Sequence, residues 1–302
     1  MSRPSPGPAP GPSPRPSPGP APGPSPGPSP RPSPAASFPE DPRLSDVDEW
    51  GRSERVRSLV RRIYGPVYSS WFRVEWEGID KIPAAGGALL VGNHAGAIPS
   101  DAPVIMHGIE TELGRPVYGL ADYFFRGLPV VGTLWSRAGG VPARPDNAYR
   151  LLHDQKKLAL VFPEGEKGPS KPYAQRYRLQ RFGRGGFIEI AMRAGVPVVP
   201  IAVVGSEETM PLLWQIPQLA RALRVPYFPV TANMVLMGPL GLAVPFPAKF
   251  RLRVLDPVTF DAEPGQERYP KSEVLEESER IRESMQHALD DMLRRRRSIW
   301  FG

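Results

Sequence analysis

Two polar segments that follow apolar, strand-like runs hold the side chains best suited to chemistry. In the first, an apolar run leads into Asn93, His94 and Asp101, which supply an imidazole base and a carboxylate that can orient it. In the second, residues 162–165 form a tight turn that carries the carboxylate of Glu164. If both runs are strands of one parallel sheet, both segments lie at its carboxyl edge, where α/β sheets place their sites.

Asp101 has two compatible interpretations. It is the only acidic residue between Asp80 and Glu110, and a carboxylate bonded to one nitrogen of His94 fixes the tautomer and leaves the other nitrogen as a base. The structural alternative makes Asp101 the N-cap of the helix that follows. The residues alone leave both roles open.

The second turn is followed by a basic stretch rich in glycine. Its cations are Lys167, Lys171, Arg176, Arg178, Arg181 and Arg184. A run of charges is usually a solvated face, but glycines among the cations let the backbone approach a ligand closely, and the mixture suits an anion or a phosphate.

The elements that position these segments alternate between strands and helices. The sequence predicts strands at residues 72–79, 88–92, 117–120, 139–143, 158–162, 196–204 and 250–255, and helices at 102–113, 147–155 and 185–194. A helix is also predicted from about Val47, with Ser45 or Asp46 as its cap, and another over residues 271–297. This order favours an α/β fold with a mostly parallel central sheet covered by helices on both faces.

The first residues of the chain have a different character. Residues 4–34 place proline at every even position, which accounts for 16 of the 41 prolines. Such a tract cannot form a backbone hydrogen-bond ladder or a core. We therefore predict a disordered arm over residues 1–38 and one α/β domain over residues 39–302, with an amphipathic helix at each end.

Composition excludes several classes of protein. The chain has no cysteine, which excludes disulfides and thiolate nucleophiles, and no two of its four histidines have metal-ligand spacing. Gly-x-Ser-x-Gly, P-loop and dinucleotide-binding motifs do not occur in the sequence. The expected site therefore has no metal, and a nucleophile-elbow hydrolase is unsupported.

A net charge of +7 favours anionic partners. The apolar residues 228–248 are interrupted by prolines and glycines, so they suit either a core-covering loop or a loop at a membrane interface, and residues 294–301 are basic and aromatic. With no uninterrupted apolar run long enough to span a bilayer and no secretory signal, we predict a cytoplasmic protein in peripheral contact with the anionic inner face of the cell membrane, and no nucleic-acid partner.

Four ordered blocks resemble the glycerolipid acyltransferases, the superfamily of lysophosphatidate and glycerol-phosphate acyltransferases. The blocks are Asn93–His94 with Asp101, residues 140–144, residues 162–165 and residues 196–200. The resemblance spans roughly residues 85–210. It implies transfer of a fatty acyl group from coenzyme A or acyl carrier protein to a glycerolipid hydroxyl at a membrane surface, with no bound cofactor.

The resemblance also implies roles for individual residues. His94 would remove a proton from the acceptor hydroxyl, and Asp101 would orient His94 and stabilise its imidazolium. Substrate binding would fall to Asn93, Arg144, Glu164, Gly165 and Lys167. The alkoxide-like oxygen would attack the thioester directly, without an acyl-enzyme.

The chain departs from the family pattern in two places. Asp101 follows His94 by seven residues, two more than is usual in the family, and Glu166-Lys167-Gly168 stands where the family has Thr-Arg-Ser. Because Glu166 would repel a phosphate, we predict a neutral or weakly anionic acceptor rather than glycerol 3-phosphate. The alternatives are a non-catalytic lipid-binding protein that keeps the fold, and a thioesterase or lipid hydrolase that uses water as the acceptor.

Overall fold

The computed structural model describes residues 46–121, 131–223 and 225–302, all within one compact unit, Pro42–Gly302. The predicted arm, residues 1–38, lies outside the described residues. The helices are α1 Glu54–Pro66, α2 Asp101–Glu112, α3 Val131–Arg137, α4 Pro145–Tyr149, α5 Gly186–Ala194, α6 Ser206–Thr209, α7 Pro217–Leu223, α8 Ala232–Met237 and α9 Lys271–Arg295. The strands are β1 Glu75–Glu77, β2 Ala88–Gly92, β3 Val117–Ala121, β4 Gly140–Pro142, β5 Leu158–Val161, β6 Val198–Val204, β7 Leu212–Gln215, β8 Pro229–Thr231 and β9 Arg251–Val254.

In the described residues, seven strands form one sheet in the order β1-β9-β6-β2-β5-β3-β4. The five strands from β6 to β4 run parallel, whereas β9 is antiparallel to β6 and β1 is parallel to β9. In the register, Val91 pairs with Val161, and Gly92 with Ile201. The carboxyl ends of β2, β5 and β6 therefore meet at one edge, and the predicted mostly parallel sheet is confirmed.

Each face of the sheet carries its own core. Leu89 and Val91 of β2 pack in a cluster with residues of α4, α5 and α9. The alternate side chains, Ala88 and Leu90, pack in a second cluster with residues of α2 and with Tyr68 and Phe72, which follow α1. Burying one leucine side chain stabilises the fold by about 1.5–3 kcal/mol, so the helices on both faces hold β2 and its carboxyl end in place.

The helix α1 begins later than predicted. Ser53, not Ser45 or Asp46, is its N-cap, with an extended backbone and a side chain that accepts the N–H of Val56 at 3.2 Å. Asp46 contributes from outside the helix, since its carboxylate accepts the hydroxyl of Ser53 at 2.5 Å and the N–H of Arg55 at 2.9 Å. Gly51, at φ 92°, turns the chain between the two, which is why the apolar spacing before it does not extend the helix.

A buried ion cluster joins α1 to α2. The carboxylate of Glu110 accepts a hydrogen bond from Arg57 Nε at 3.0 Å and lies 3.5 Å from guanidinium nitrogens of Arg52 and Arg61. We call these four side chains the helix clamp. Glu110 is buried, so its charge depends on these partners.

The segment between β6 and β9 is more regular than predicted. Residues 228–248 contain β8, α8 and a 3₁₀ turn, Gly238–Leu242, instead of a continuous loop. β8 pairs with β7 in a separate two-stranded sheet. The prolines and glycines mark boundaries: Pro229 is the first residue of β8, and Gly238, at φ 63°, ends α8.

Candidate active site

His94 leaves the sheet two residues after β2, a strand whose five residues are all buried. Its Nδ1 lies 3.1 Å from Asp101 Oδ1 and 3.2 Å from Oδ2. Its ring stacks on Phe162, with the centroids 4.3 Å apart and the planes inclined by 19°. An ionised carboxylate only accepts hydrogen bonds, so Nδ1 carries the hydrogen and Nε2 is the basic nitrogen. The side chain of His94 is 21% exposed, which gives a ligand access.

Of the two roles that the sequence left open, Asp101 takes that of hydrogen-bond partner to His94, and its prediction as the N-cap is wrong. It is the first residue of α2, directly after the N-cap Ser100, and its Oδ1 accepts the N–H of Ala102 at 2.7 Å. Its Oδ2 accepts the N–H of Ala95 at 2.9 Å. The carboxylate is fully buried, and these bonds hold it against His94.

The longer loop between His94 and Asp101 is fixed by neighbouring elements. Gly96 has φ 81°, and a Cβ there would lie 2.7 Å from the carbonyl oxygen of Ser206. The hydroxyl of Ser206 donates to the carbonyl of Ala95 at 2.8 Å and lies 3.5 Å from Asp101 Oδ2. Further along, the hydroxyl of Tyr227 donates to the carbonyl of Ala97 at 2.7 Å. The two additional residues therefore form an ordered turn against α6 and the segment before β8.

Glu164 is buried beneath His94. Its Oε1 accepts the backbone N–H of His94 at 3.0 Å, and its Oε2 accepts the N–H of Gln180 at 2.7 Å. Lys171 Nζ lies 4.0 Å from Glu164 Oε2 and 2.8 Å from Oε1 of Glu207. Burial raises the pKa of Glu164 and that of Glu207, and the charge of Lys171 opposes both shifts. We call Asp101, Glu164, Lys171 and Glu207 the edge cluster.

Asn93 is bonded at both ends of its amide. Its nitrogen donates to the carbonyl of Val203 at 3.0 Å, and its oxygen accepts the N–H of the same residue at 2.7 Å. These bonds fasten the end of β2 to β6. The hydrogen bonds of the Asn93 and Glu164 side chains are with backbone groups, and the predicted contact of both residues with substrate stays a prediction.

The other residues predicted to bind substrate, Gly165, Lys167 and Arg144, are exposed to solvent. Gly165, at φ 58°, begins an exposed 3₁₀ turn that includes Lys167, and a Cβ added at Gly165 would meet no atom within 4 Å. Arg144 is exposed and caps α4 two residues after β4. Since β4 is three strands from β2, Arg144 leaves the same edge about 14 Å from the end of β2 along the sheet. The structure therefore brings together His94, Asp101 and Glu164, but it does not bring Arg144 into contact with them.

Sequence reasoning missed part of the site. Ser206 and Glu207 follow the end of β6 by two and three residues, so the rule that draws attention to His94 and Glu164 also applies to them. Gly168 belongs to the glycines that the sequence predicts to admit a ligand, yet a Cβ on it would lie 2.3 Å from the carbonyl oxygen of His94. It admits the backbone of His94 itself.

Two further features concern metals and membranes. In residues 46–121, 131–223 and 225–302, no group of three His, Cys, Asp or Glu side chains is arranged to hold a metal ion. Within the same ranges, no helix is long and apolar enough to cross a bilayer.

Comparison with known proteins places this chain in a family. The model of the Acyltransferase family matches residues 73–204. An uncharacterized protein of Mycobacterium tuberculosis is 40% identical over 259 residues, which cover 85% of this chain and 72% of that protein. A Mycobacterium leprae protein is 40% identical over 262 residues, 85% of this chain and 70% of its own length.

More distant relatives carry names. A Bos taurus protein named "DGAT1/2-independent enzyme synthesizing storage lipids" is 25% identical over 242 residues, 78% of this chain and 64% of that protein. The crystal structure of the 1-acyl-sn-glycerophosphate acyltransferase PlsC of Thermotoga maritima matches with a TM-score of 0.51 at 21% identity, covering 81% of this chain and 80% of that one. This likeness extends to the mostly parallel sheet with flanking helices. The chain belongs to the acyltransferase family, within the glycerolipid acyltransferase superfamily, and is an acyltransferase of lipid metabolism.

Proposed function

We propose that this enzyme transfers a fatty acyl group from a thioester of coenzyme A or acyl carrier protein to a hydroxyl of a glycerolipid at a membrane surface. The observation that carries the proposal is the pairing of His94 Nδ1 with Asp101 at 3.1 Å, at the carboxyl edge of the sheet of an acyltransferase-family chain.

In the proposed mechanism, Nε2 of His94 removes the proton of the acceptor hydroxyl as the oxygen attacks the thioester carbonyl. Asp101 keeps the hydrogen on Nδ1 and stabilises the imidazolium. When the tetrahedral intermediate collapses, the bond between carbon and sulfur breaks and the sulfur takes the proton from Nε2. The donor therefore leaves as a thiol, and His94 returns to its neutral form. The stacking on Phe162 and the bond from the His94 N–H to Glu164 restrict the ring before substrate arrives.

We propose a neutral or weakly anionic glycerolipid as the acceptor. Glu166 is exposed in the turn that follows Glu164. The pKa of Tyr227 is raised, first by burial and then by the charges of Asp101 and Glu166. Glu166 also lies only two residues after Glu164, whose carboxylate accepts the N–H of His94, and a negative charge so close to this turn would disfavour a phosphate there.

Membrane contact is proposed through an exposed apolar face next to the site. Its large side chains are Leu213, Trp214, Leu223, Val235, Leu236 and Leu240. The surrounding residues 209–255 contain no Asp or Glu, so an anionic lipid surface meets no like charge there. The face begins beside the His94 loop, since the N–H of Ala97 donates to the carbonyl of Met210 at 3.0 Å. We propose peripheral binding at the inner face of the cell membrane.

The test uses purified protein, labelled acyl-CoA and a panel of lipid acceptors, with consumption of thioester and formation of lipid ester both measured. A transferase consumes acyl-CoA faster when acceptor is added and forms ester in proportion. Consumption independent of acceptor would identify a hydrolase, and binding without consumption would identify a lipid-binding protein. Matched phosphorylated and neutral acceptors test the proposal about Glu166, and a strong preference for the phosphorylated one that Glu166→Thr leaves unchanged would overturn it.

A further inference from the structure

A basic cleft of about 490 Å³ lies between the segment after Glu164 and the carboxyl end of α9. It is lined by Ala174, Arg176, Tyr177, Arg178, Leu293, Arg296, Arg297, Ser298 and Ile299. Its volume is within the range of small-molecule sites. Four of the lining residues are arginines and none is acidic, so the cleft suits an anionic ligand.

The four arginines of the cleft differ in whether a carboxylate pairs with them. Arg296 is bonded to Glu208, which is buried, at 2.8 Å. In the part of the chain that the structure describes, Arg176, Arg178 and Arg297 form no ion pair, and all three are exposed. Guanidinium groups bind phosphate through paired, charge-assisted hydrogen bonds, and here three converge on one cleft with their charges unmatched.

The cleft is connected to the proposed transfer site through one short helix. In α6, Ser206 lies 3.5 Å from Asp101 Oδ2, and Glu208, two residues later, binds Arg296. Tyr177, which lines the cleft, donates its N–H to Glu207 at 2.9 Å and accepts the N–H of Gly205 on its hydroxyl at 2.9 Å. The cleft is therefore linked to the pair of His94 and Asp101 through α6, and His94 itself does not line it.

We infer that this arginine cleft binds a phosphate ester carried by a substrate of the transfer site, namely the nucleotide end of a coenzyme A thioester. The inference rests on the proposed function. In such a donor, the phosphates are separated from the thioester by an extended arm, whereas the phosphate of a phospholipid head group is close to the glycerol hydroxyls. A cleft that is joined to the pair of His94 and Asp101 only through α6 and Arg296 fits the remote phosphate better.

The experiment compares Arg176→Gln/Arg178→Gln with wild type. Titration calorimetry measures binding of coenzyme A and of 3′-dephospho-coenzyme A, and steady-state kinetics measure KM and kcat for acyl-CoA. We expect coenzyme A to bind the variant about 10- to 100-fold more weakly, because charged hydrogen bonds are lost, while kcat changes little. The advantage of coenzyme A over its dephosphorylated form should shrink. Arg184→Gln is the matched control, since Arg184 is exposed in the same basic stretch but does not line the cleft.

A second arm measures transfer to phosphorylated and neutral acceptors of equal chain length. If the variant loses its discrimination between these acceptors and keeps full affinity for coenzyme A, the cleft binds lipid head groups and the donor assignment is overturned. Unchanged behaviour in both arms would overturn the cleft as a phosphate site. Because calorimetry needs no turnover, failure of the proposed function is distinguishable: wild type would then bind coenzyme A without forming lipid ester.

Discussion

The helix clamp and the edge cluster both bury charged side chains, but cations outnumber carboxylates in the clamp and carboxylates outnumber cations in the edge cluster. In the clamp, one carboxylate, Glu110, is surrounded by three guanidinium groups. In the edge cluster, the carboxylates of Asp101, Glu164 and Glu207 have Lys171 as their only buried ammonium partner among the described residues. The clamp joins two helices, whereas two carboxylates of the edge cluster bind the backbone and the ring of a histidine.

The proposed mechanism gives the excess of negative charge at the edge a chemical use that the clamp lacks. Burial raises the pKa values of Glu164 and Glu207, so their ionised forms are under strain that an additional positive charge relieves. In the proposed mechanism, proton transfer to His94 supplies that charge at the moment of acyl transfer. A buried carboxylate that is fully paired with cations, as in the clamp, stabilises the fold. One with too few cationic partners, as at the edge, can stabilise a positive charge that forms only during the proposed reaction.

The largest effect is expected from separating His94 and Asp101. Asp101→Asn should keep the helix start but lose the tautomer control and the stabilisation of the imidazolium, which lowers transfer on the order of 10³- to 10⁴-fold. His94→Ala should cost as much, and the double variant little more, since the two act as a unit. Single-turnover transfer to a lipid acceptor measures this. Fully additive losses, or an active His94→Ala enzyme, would contradict the pairing.

The clamp should respond in the opposite way. Glu110→Gln leaves three arginines around a neutral group, and breaking a buried ion cluster from one side costs about 3 kcal/mol. Urea unfolding should show this loss, while transfer per folded molecule stays near the wild-type value. A variant of normal stability with impaired transfer would show that the clamp serves the chemistry and that the contrast between the two clusters is wrong.

Gly168→Ala tests the backbone contact of the edge. The new methyl group would lie 2.3 Å from the carbonyl oxygen of His94, so the backbone must shift, at a cost of about 1–3 kcal/mol. We expect the rate of acyl transfer to fall by at least about tenfold, because even a small displacement of a catalytic group slows the reaction strongly. Gly186→Ala is the control, since a Cβ at Gly186 meets no atom within 4 Å. Equal activities of the two variants would remove Gly168 from the site.

The sequence predicts which segments lie at the carboxyl edge of the sheet, but it does not predict which charged side chains are buried there. His94 and Glu164 are identifiable because polar residues after apolar strands mark the carboxyl edge of a parallel sheet. Lys171 is predicted only as part of a charge run. Lys171 is buried whereas Arg176, five residues later, is exposed. The spacing of the charges does not predict this difference, because it depends on α6 and α9, which come from distant parts of the chain and pack against this segment.

The segment between β6 and β9 shows a second limit. Its many prolines and glycines predict an irregular loop, and residues 228–248 instead contain β8 and α8. Short elements of this kind have little local preference of their own. They are stabilised by tertiary contacts, such as the bonds of Asn233, which is buried, to the carbonyls of Thr209 and Val244 at 3.0 and 2.9 Å.

A pH series should show how the burial of Glu164 in the edge cluster affects stability. Since burial raises the pKa of Glu164 above its ordinary value of 4.5, the folded state binds this proton more tightly than the unfolded chain. Ionisation of Glu164 therefore lowers stability as pH rises from about 4.5 through the folded pKa. Glu164→Gln removes that titration, so its stability relative to wild type should rise with pH across this window. Urea unfolding at several pH values measures the difference. A relative stability of Glu164→Gln that falls with rising pH would contradict the sign of the shift.

The smallest effect is expected at the apolar face, which lies outside both clusters. Leu236→Asp/Leu240→Asp places two carboxylates where the proposed contact is with lipid; both leucines are more than 70% exposed, so folding should be unaffected. Binding to anionic vesicles in a sedimentation assay should weaken by at least about tenfold, because apolar burial is lost and like charges are added. Transfer to a lipid acceptor in vesicles should fall with it, while transfer to a short, water-soluble acceptor stays constant because His94 and Asp101 are untouched. Leu134→Asp is the matched control, an exposed leucine on α3. If the control weakens vesicle binding as much as the double variant, lipid contact is not confined to this face, and the face has no special relation to the loop that carries His94.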